Sequence, residues 1–339
     1  MFKRYAHNPI LKAKPENDWE NLAVCNPGVW YENGVYYMLY RAAGNDEAHR
    51  IHLGLATSTD GFNFTRTSNE PVLSPDPNGY DAGCVEDPRI VKFGELFYVT
   101  YAYRPFPPGR YWLQESYDHG WPLDAHAPQG LRYNTTNTAL AITKDFKTYK
   151  KLGRITPHAI DNRDVILFPE KINGQYVMLH RPVEWTGPEY GCENPSIFLA
   201  FSDDMMQWRD DVLLIKGEAA WESKKIGGST PPLKTDRGWL VLYHGVDKRD
   251  DLYRLGALLL DLEDPRIILG RTEEALMQPE MDYETDGYYA GCIFPTGNVI
   301  RDGVLYMYYG GADRYVCVAT CDLNTLLDHV SGQKKIEVK

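Results

Sequence analysis

Apolar and polar residues alternate in short bursts along most of the chain, and the bursts recur. Five times a glycine opens a run dense in tyrosine and aliphatic residues that ends in polar ones. The copies are GVYYMLYRA from Gly34, GELFYVTYAY from Gly94, GQYVMLHRP from Gly174, GWLVLYHGV from Gly238 and GVLYMYYGGAD from Gly303. β-Branched and aromatic density of this kind is strand chemistry. The residue before each glycine (Asn, Phe, Asn, Arg or Asp) predicts a hairpin turn there. Upstream lies a second predicted strand opened by proline: NPGVWYEN from Asn26, DPRIVKF from Asp87, FPEKIN from Phe168, TPPLKTDR from Thr230 and FPTGNVIRD from Phe294. Proline lacks an N–H and fits the first residue of a strand. A third strand follows each copy, as in LGLATSTDGFNF (53–64), and most end in a small turn containing Asp.

Three strands and a less regular fourth, repeated five times, predict an all-β fold, a five-bladed β-propeller. A β-sandwich does not explain five equivalent copies. No linker divides the chain, so residues 1–339 are expected to form a single catalytic domain. The aromatic, proline-rich segment 104–136 interrupts the second repeat and reads as an inserted active-site loop. Residues 327–339 read as a C-terminal tail, partly helical and frayed at its charged end.

Composition narrows the partners. The 339 residues carry 36 Lys+Arg against 47 Asp+Glu, a net charge of −11. Without a basic run, this argues against a nucleic acid or an anionic membrane as partner. No apolar stretch is long enough for a membrane helix, and the start of the sequence has no signal-peptide core. Six scattered cysteines without a CxxC spacing read as reduced core thiols, which suits a cytoplasmic protein. No metal-ligand cluster or organic cofactor motif is visible.

In a propeller, equivalent repeat positions ring one central pocket. Residues before the prolines (Asn26, Asp87, Phe168, Thr230, Phe294) and at the ends of the second strands (Arg41, Tyr101 to Tyr103, His180 and Arg181, His244, Asp313) are expected there. Amides, carboxylates and aromatics together are a sugar-binding composition. Glycoside cleavage needs a proton donor to the leaving oxygen. Asp87, flanked by apolar Cys84 and Val85, is the best candidate. Glu86 is expected to point the other way, as neighbours in a strand do. No second carboxylate is obvious. Instead Arg163, Arg181, Lys225 and His244 suggest an anion, and Arg suits phosphate. Phosphate attacking the anomeric carbon makes a catalytic base unnecessary.

The segments VEDPRI, DNRDVILFPEKINGQYVMLHRP, KIGGSTPPLKTDRGWLVLYHGV and YYGGADRYVCVA resemble the family-130 glycoside phosphorylases and hydrolases, from about Asn8 to Asp322. The resemblance implies a five-bladed propeller and inverting phosphorolysis of β-mannosides. Substrates of that kind are β-1,4-mannosyl-glucose, mannosyl-N-acetylglucosamine and manno-oligosaccharides, and the product is α-mannose 1-phosphate. It implies Asp87 as the general acid, acting through a sugar hydroxyl, and phosphate bound by Arg163, Arg181 and His244. Substrate contacts are expected from Asn26, Arg41, Arg89, Tyr103, Lys225 and Asp313. Inorganic phosphate is then a co-substrate, with no metal or cofactor. Asp164, beside Arg163, has to point away from phosphate or pair with an arginine. The alternatives are a β-1,2-mannoside hydrolase, using a distant carboxylate such as Glu170 or Glu193, and a non-catalytic glycan-binding propeller. Relatives range from dimers to hexamers, so homo-oligomerisation stays open, as do linkage and leaving sugar.

Overall fold

The computed structural model describes residues 1–110, 126, 129–157 and 160–332, so most of the inserted loop and the charged end of the tail lie outside the described residues. The fold is all-β. After a short β1 (Lys3–Arg4), strands follow one another as antiparallel meanders. The first holds β2 (Ala23–Glu32), β3 (Val35–Ala43), β4 (Ile51–Ser58) and β5 (Thr65–Arg66). The second holds β6 (Cys84–Phe93), β7 (Leu96–Arg104), β8 (Asn137–Thr143) and β9 (Lys150–Arg154). The third holds β10 (Asn162–Leu167), β11 (Tyr176–Pro182), β12 (Ile197–Ser202) and β13 (Arg209–Ile215). In the fourth, β14 (Lys225–Gly228) and β15 (Leu233–Thr235) both pair with β16 (Gly238–Val246), followed by β17 (Tyr253–Leu260) and β18 (Ile268–Arg271). The fifth holds β19 (Ile293–Arg301), β20 (Val304–Gly311) and β21 (Tyr315–Asp322), and its fourth strand is β1, paired with β21. A single parallel bridge, Ile51 to Cys84, joins the first two meanders.

The predicted turns form as read. Asn33–Gly34, Asn173–Gly174 and Asp302–Gly303 have left-handed φ at both residues, the requirement of the tight hairpin turn that matches strand twist. The Asp turns form too: Oδ1 of Asp60, Asp145, Asp204 and Asp261 each accepts two backbone N–H groups from the residues just downstream.

The apolar faces pack between consecutive meanders. Ile90 and Val99 meet Leu39 and Leu55; Val91 and Leu140 meet Val165 and Met178. Ile166 and Leu179 meet Val241 and Leu258; Leu242 and Ala257 meet Met307 and Ala319. The fifth meander packs back on the first through Tyr308 and Val318 against Met38 and Val24. Each such Leu or Ile buries about 1.5–3 kcal/mol of transfer free energy.

The structure corrects the expectation that proline opens the first strands. Pro27, Pro88 and Pro295 sit inside β2, β6 and β19, where the register with the second strand slips. At Pro27 and Pro88 the bulge leaves the proline without a ladder partner, so a residue lacking an N–H is tolerated there; Pro295 stands opposite Tyr309, and Thr296 is the residue left out. In the third meander the first strand lies upstream of Phe168–Pro169, and its slip falls between Arg163 and Ile166. The counterpart of Asn26 and Asp87 is therefore Asp164, not Phe168, which is buried in the apolar core.

Candidate active site

All five meanders contribute to one cavity of about 300 Å³. Asn26, Arg41, Asp87, Arg89, Arg163, Arg181, Lys225 and Asp313 line it, as expected from the sequence. The bulges decide what faces inward. Asn26, Asp87 and Asp164 have left-handed φ values of 45, 52 and 54°. That twist breaks strict alternation, so consecutive residues reach the same side. Glu86 therefore lines the cavity beside Asp87, contrary to the expectation that it points away, and Arg163 does so beside Asp164.

Two expected residues lie elsewhere. Tyr103 is fully buried in the apolar core, edge-on to Tyr80. Its neighbours Ala102 and Arg104 take the cavity-facing positions, because β7 alternates without a slip there. His244 is also fully buried, behind the wall: its Nε2 lies 3.6 Å from Asp164 Oδ2 and its Nδ1 3.3 Å from Ser229 Oγ. Burial holds its pKa near 3, so it is uncharged at neutral pH. Neither Glu170, on the surface with Lys234, nor exposed Glu193 lines the cavity.

The sequence reading did not assign Glu86, Arg104, Tyr253, Tyr289 or Cys292 to the cavity wall. Proline inside the segments from Asn26 and Asp87 is the available signal for a bulge. No comparable signal marks Arg104, whose alternation becomes readable only once the register of β7 is known.

Asp87 is held by two donors on one oxygen. Asn26 Nδ2 donates to Oδ1 at 2.8 Å and Arg41 Nη1 at 3.3 Å. Among the described residues Oδ2 has no such partner, which leaves it to carry a proton. Burial pushes the Asp87 carboxyl up to about 6, against the opposing pull of Arg41 and with help from Glu86. Burial acts on Glu86 in the same sense, but Arg41, Arg104 and Arg163 outweigh it and hold that carboxyl below its usual value. Arg41 Nη2 sits 3.2 Å from Glu86 Oε2. Adjacent carboxyls whose acidities are driven apart are the arrangement expected of an acid beside a permanent anion.

Cations share the same wall. Arg163 makes a fork to Asp161, with both distances 2.6 Å. Arg181 Nε donates to Asp164 Oδ2 at 2.7 Å. Lys225 Nζ donates to Tyr253 Oη at 2.5 Å; burial first, then Arg181 and Arg163, lowers its pKa to about 7. Counting side chains on the wall, Arg41, Arg89, Arg104, Arg163, Arg181 and Lys225 face Glu86, Asp87, Asp164 and Asp313. This excess of positive charge inside an acidic protein suits a small anion beside an uncharged polar ligand.

Comparison with known proteins agrees with this chemistry. A family model described as beta-1,4-mannooligosaccharide phosphorylase matches residues 3–110 and 129–332. A 1,2-beta-oligomannan phosphorylase of Thermoanaerobacter sp. is 36% identical, covering 96% of this chain and 98% of its own. A beta-1,2-mannobiose phosphorylase of the same organism is 34% identical, over 95% and 98%. Among solved structures, the beta-1,2-mannobiose phosphorylase of Listeria innocua in complex with beta-1,2-mannobiose superposes with a TM-score of 0.79 at 26% identity, covering 98% and 99%.

Proposed function

The chain belongs to glycoside hydrolase family 130, and from that premise we propose that it cleaves β-mannosides with inorganic phosphate, releasing α-mannose 1-phosphate. The observation that carries the reading is the cavity itself: a carboxyl poised to be protonated near pH 6, facing an excess of guanidinium and ammonium groups. A phosphate oxygen attacks the anomeric carbon from the face opposite the leaving group. The carbon–oxygen bond to the leaving sugar breaks as its oxygen receives a proton that originates on Asp87, through a sugar hydroxyl as the family resemblance implies. Configuration inverts and phosphate serves as nucleophile, so no carboxylate base is required. Arg163, Arg181 and Lys225 hold the phosphate. Asn26 and Arg41 orient Asp87, and Asp313 faces the sugar.

The relatives at 34–36% identity carry β-1,2 names, which supports a β-1,2-mannoside as the preferred substrate over the β-1,4 linkage in the family description. The cyclic packing of the meanders supports a single five-bladed propeller with the cavity on its axis. Six free thiols and a need for phosphate suit the cytoplasm. The decisive assay incubates the protein with β-1,2-mannobiose or β-1,4-mannobiose, with and without phosphate. Mannose and α-mannose 1-phosphate should form in equal amounts, only with phosphate, and faster from the β-1,2 disaccharide. Free mannose as sole product, indifferent to phosphate, would establish a hydrolase instead.

A further inference from the structure

Asp164 lies within the cationic end of the cavity, where a carboxylate should repel phosphate. It is 4% exposed. Its Oδ2 accepts from Arg181 Nε at 2.7 Å, and its Oδ1 lies 3.5 Å from Arg89 Nη2. Two guanidiniums from different meanders thus share one anion, and His244 beside them adds no charge. The burial cost of Asp164 is outweighed first by Arg181, with Arg89 adding to it, so it stays ionised. A β-carbon at Gly227 would overlap Asp164 Oδ2 and the His244 ring, so the bare glycine makes room for this carboxylate.

The contacts form a chain. Arg181 spends its Nε on Asp164; among the described residues its two terminal nitrogens have no protein acceptor. Arg89 is saturated differently: Nε donates to the Ser229 carbonyl at 3.1 Å and Nη1 to the Asp87 carbonyl at 3.0 Å. Arg89 therefore acts as a strut beneath the acid although it lines the cavity.

We propose that Asp164 is a positioning residue for phosphate: it aims the free edge of Arg181 into the cavity and, through Arg89, ties the phosphate end of the site to the backbone of Asp87. Its negative charge offsets the repulsion between the two arginines, which leaves one net positive charge from the trio for the incoming anion. Asp164 touches neither reacting atom; it acts through Arg181 and Arg89.

The inference rests on the phosphorolytic reading, and the test separates the two. Asp164→Asn keeps the shape and removes the charge. The KM for phosphate should rise about tenfold, the loss expected for one charge-assisted contact, while the KM for mannoside changes less than about threefold. In an Arg181→Ala background the same substitution should add less than about twofold, because both changes remove one interaction. A KM for phosphate within twofold of wild type, or effects of the two substitutions that multiply, overturns the proposal. If Asp164→Asn does not fold, Gly227→Ala displaces the carboxylate with its charge retained and is judged by the same criteria. Failure of both variants to fold makes Asp164 a framework residue and overturns it as well. Wild-type cleavage without phosphate overturns the phosphorolytic reading alone. The rise in Tm on adding phosphate then still tests the clamp: Asp164→Asn should lose it, and full retention refutes the clamp.

Discussion

Glu222 and Asp164 are both buried carboxylates facing an arginine, yet they are wired for different ends. Glu222, between the third and fourth meanders, accepts from Tyr243 Oη at 2.7 Å, from Arg271 Nη2 at 2.9 Å and from the backbone N–H groups of Glu218 and Ala219. Its oxygens are saturated by a local set of donors. The same unit recurs: Tyr40, Glu20 and Arg66; Tyr101, Asp81 and Lys151; Tyr309, Glu284 and Arg4. In each, a second-strand tyrosine and a fourth-strand cation clamp one carboxylate. The third meander departs, with His180 Nε2 2.9 Å from Asp211 Oδ1 in the corresponding place. Around the cavity, by contrast, carboxylates also meet cations across meanders, Glu86 and Asp87 with Arg41 and Asp164 with Arg89 as well as its own Arg181, and the terminal nitrogens of Arg181 face open space. Saturated charge holds the sheets; unsaturated charge is left for a ligand.

The contrast breaks most visibly at the acid. Asp87→Asn should lower kcat by about 10²–10⁴-fold while Tm holds or rises, since burial already disfavours the charge it removes. A fall in Tm with activity intact would place Asp87 with the framework. The converse is Glu222→Ala, which leaves Arg271 buried without its partner and should cost about 3–5 kcal/mol. Urea unfolding measures that loss, and activity per folded molecule should be unchanged.

A pH profile sharpens the comparison further. With its folded pKa raised to about 6, Asp87 is protonated below that pH and ionised above it. On the phosphorolytic reading, kcat/KM should fall about tenfold per unit as pH rises beyond 6. Glu86→Gln should move this limb to lower pH, because it removes a neighbouring negative charge and leaves Arg41 to Asp87 alone. An unmoved limb would mean that another group controls it. The smallest effect is expected from Tyr309→Phe, which removes one of the donors to Glu284 and should cost about 1 kcal/mol, with kcat/KM unchanged.

Much of this was legible in the residues. Glycine-started runs locate the second strands, and eight of the ten proposed site residues line the cavity. Two of the errors, at Glu86 and Phe168, share one cause. Period-two reasoning assumes an unbroken ladder, and four of the first strands slip. That slip turned Glu86 inward. In the third meander no proline marks it, so Phe168 was matched in place of Asp164, four residues away. Tyr103 lies off the cavity for the opposite reason: β7 does alternate, and Tyr101 and Tyr103 fill its apolar side. The tyrosine clamps were in plain view, with Tyr40, Tyr101, Tyr243 and Tyr309 at equivalent repeat positions. Their partners Glu20, Asp81, Glu222 and Glu284 lie in the segments that precede each first strand, outside the runs, so composition alone could not pair them.

β1 pairs with β21 and supplies Arg4 to the clamp on Glu284, so the fifth sheet is built from both ends of the described chain. On a ribosome adding about 5–20 residues per second, Lys3 waits roughly 15–60 seconds for Thr320, its partner in the ladder. Until then the first strand has no edge to join, and the last three strands have no fourth. The first meander meanwhile exposes the apolar face that the fifth will cover. The packing contacts between the fifth meander and the first can therefore be finished only after synthesis has passed Thr320, which makes the docking of β1 a late event in the folding of each molecule.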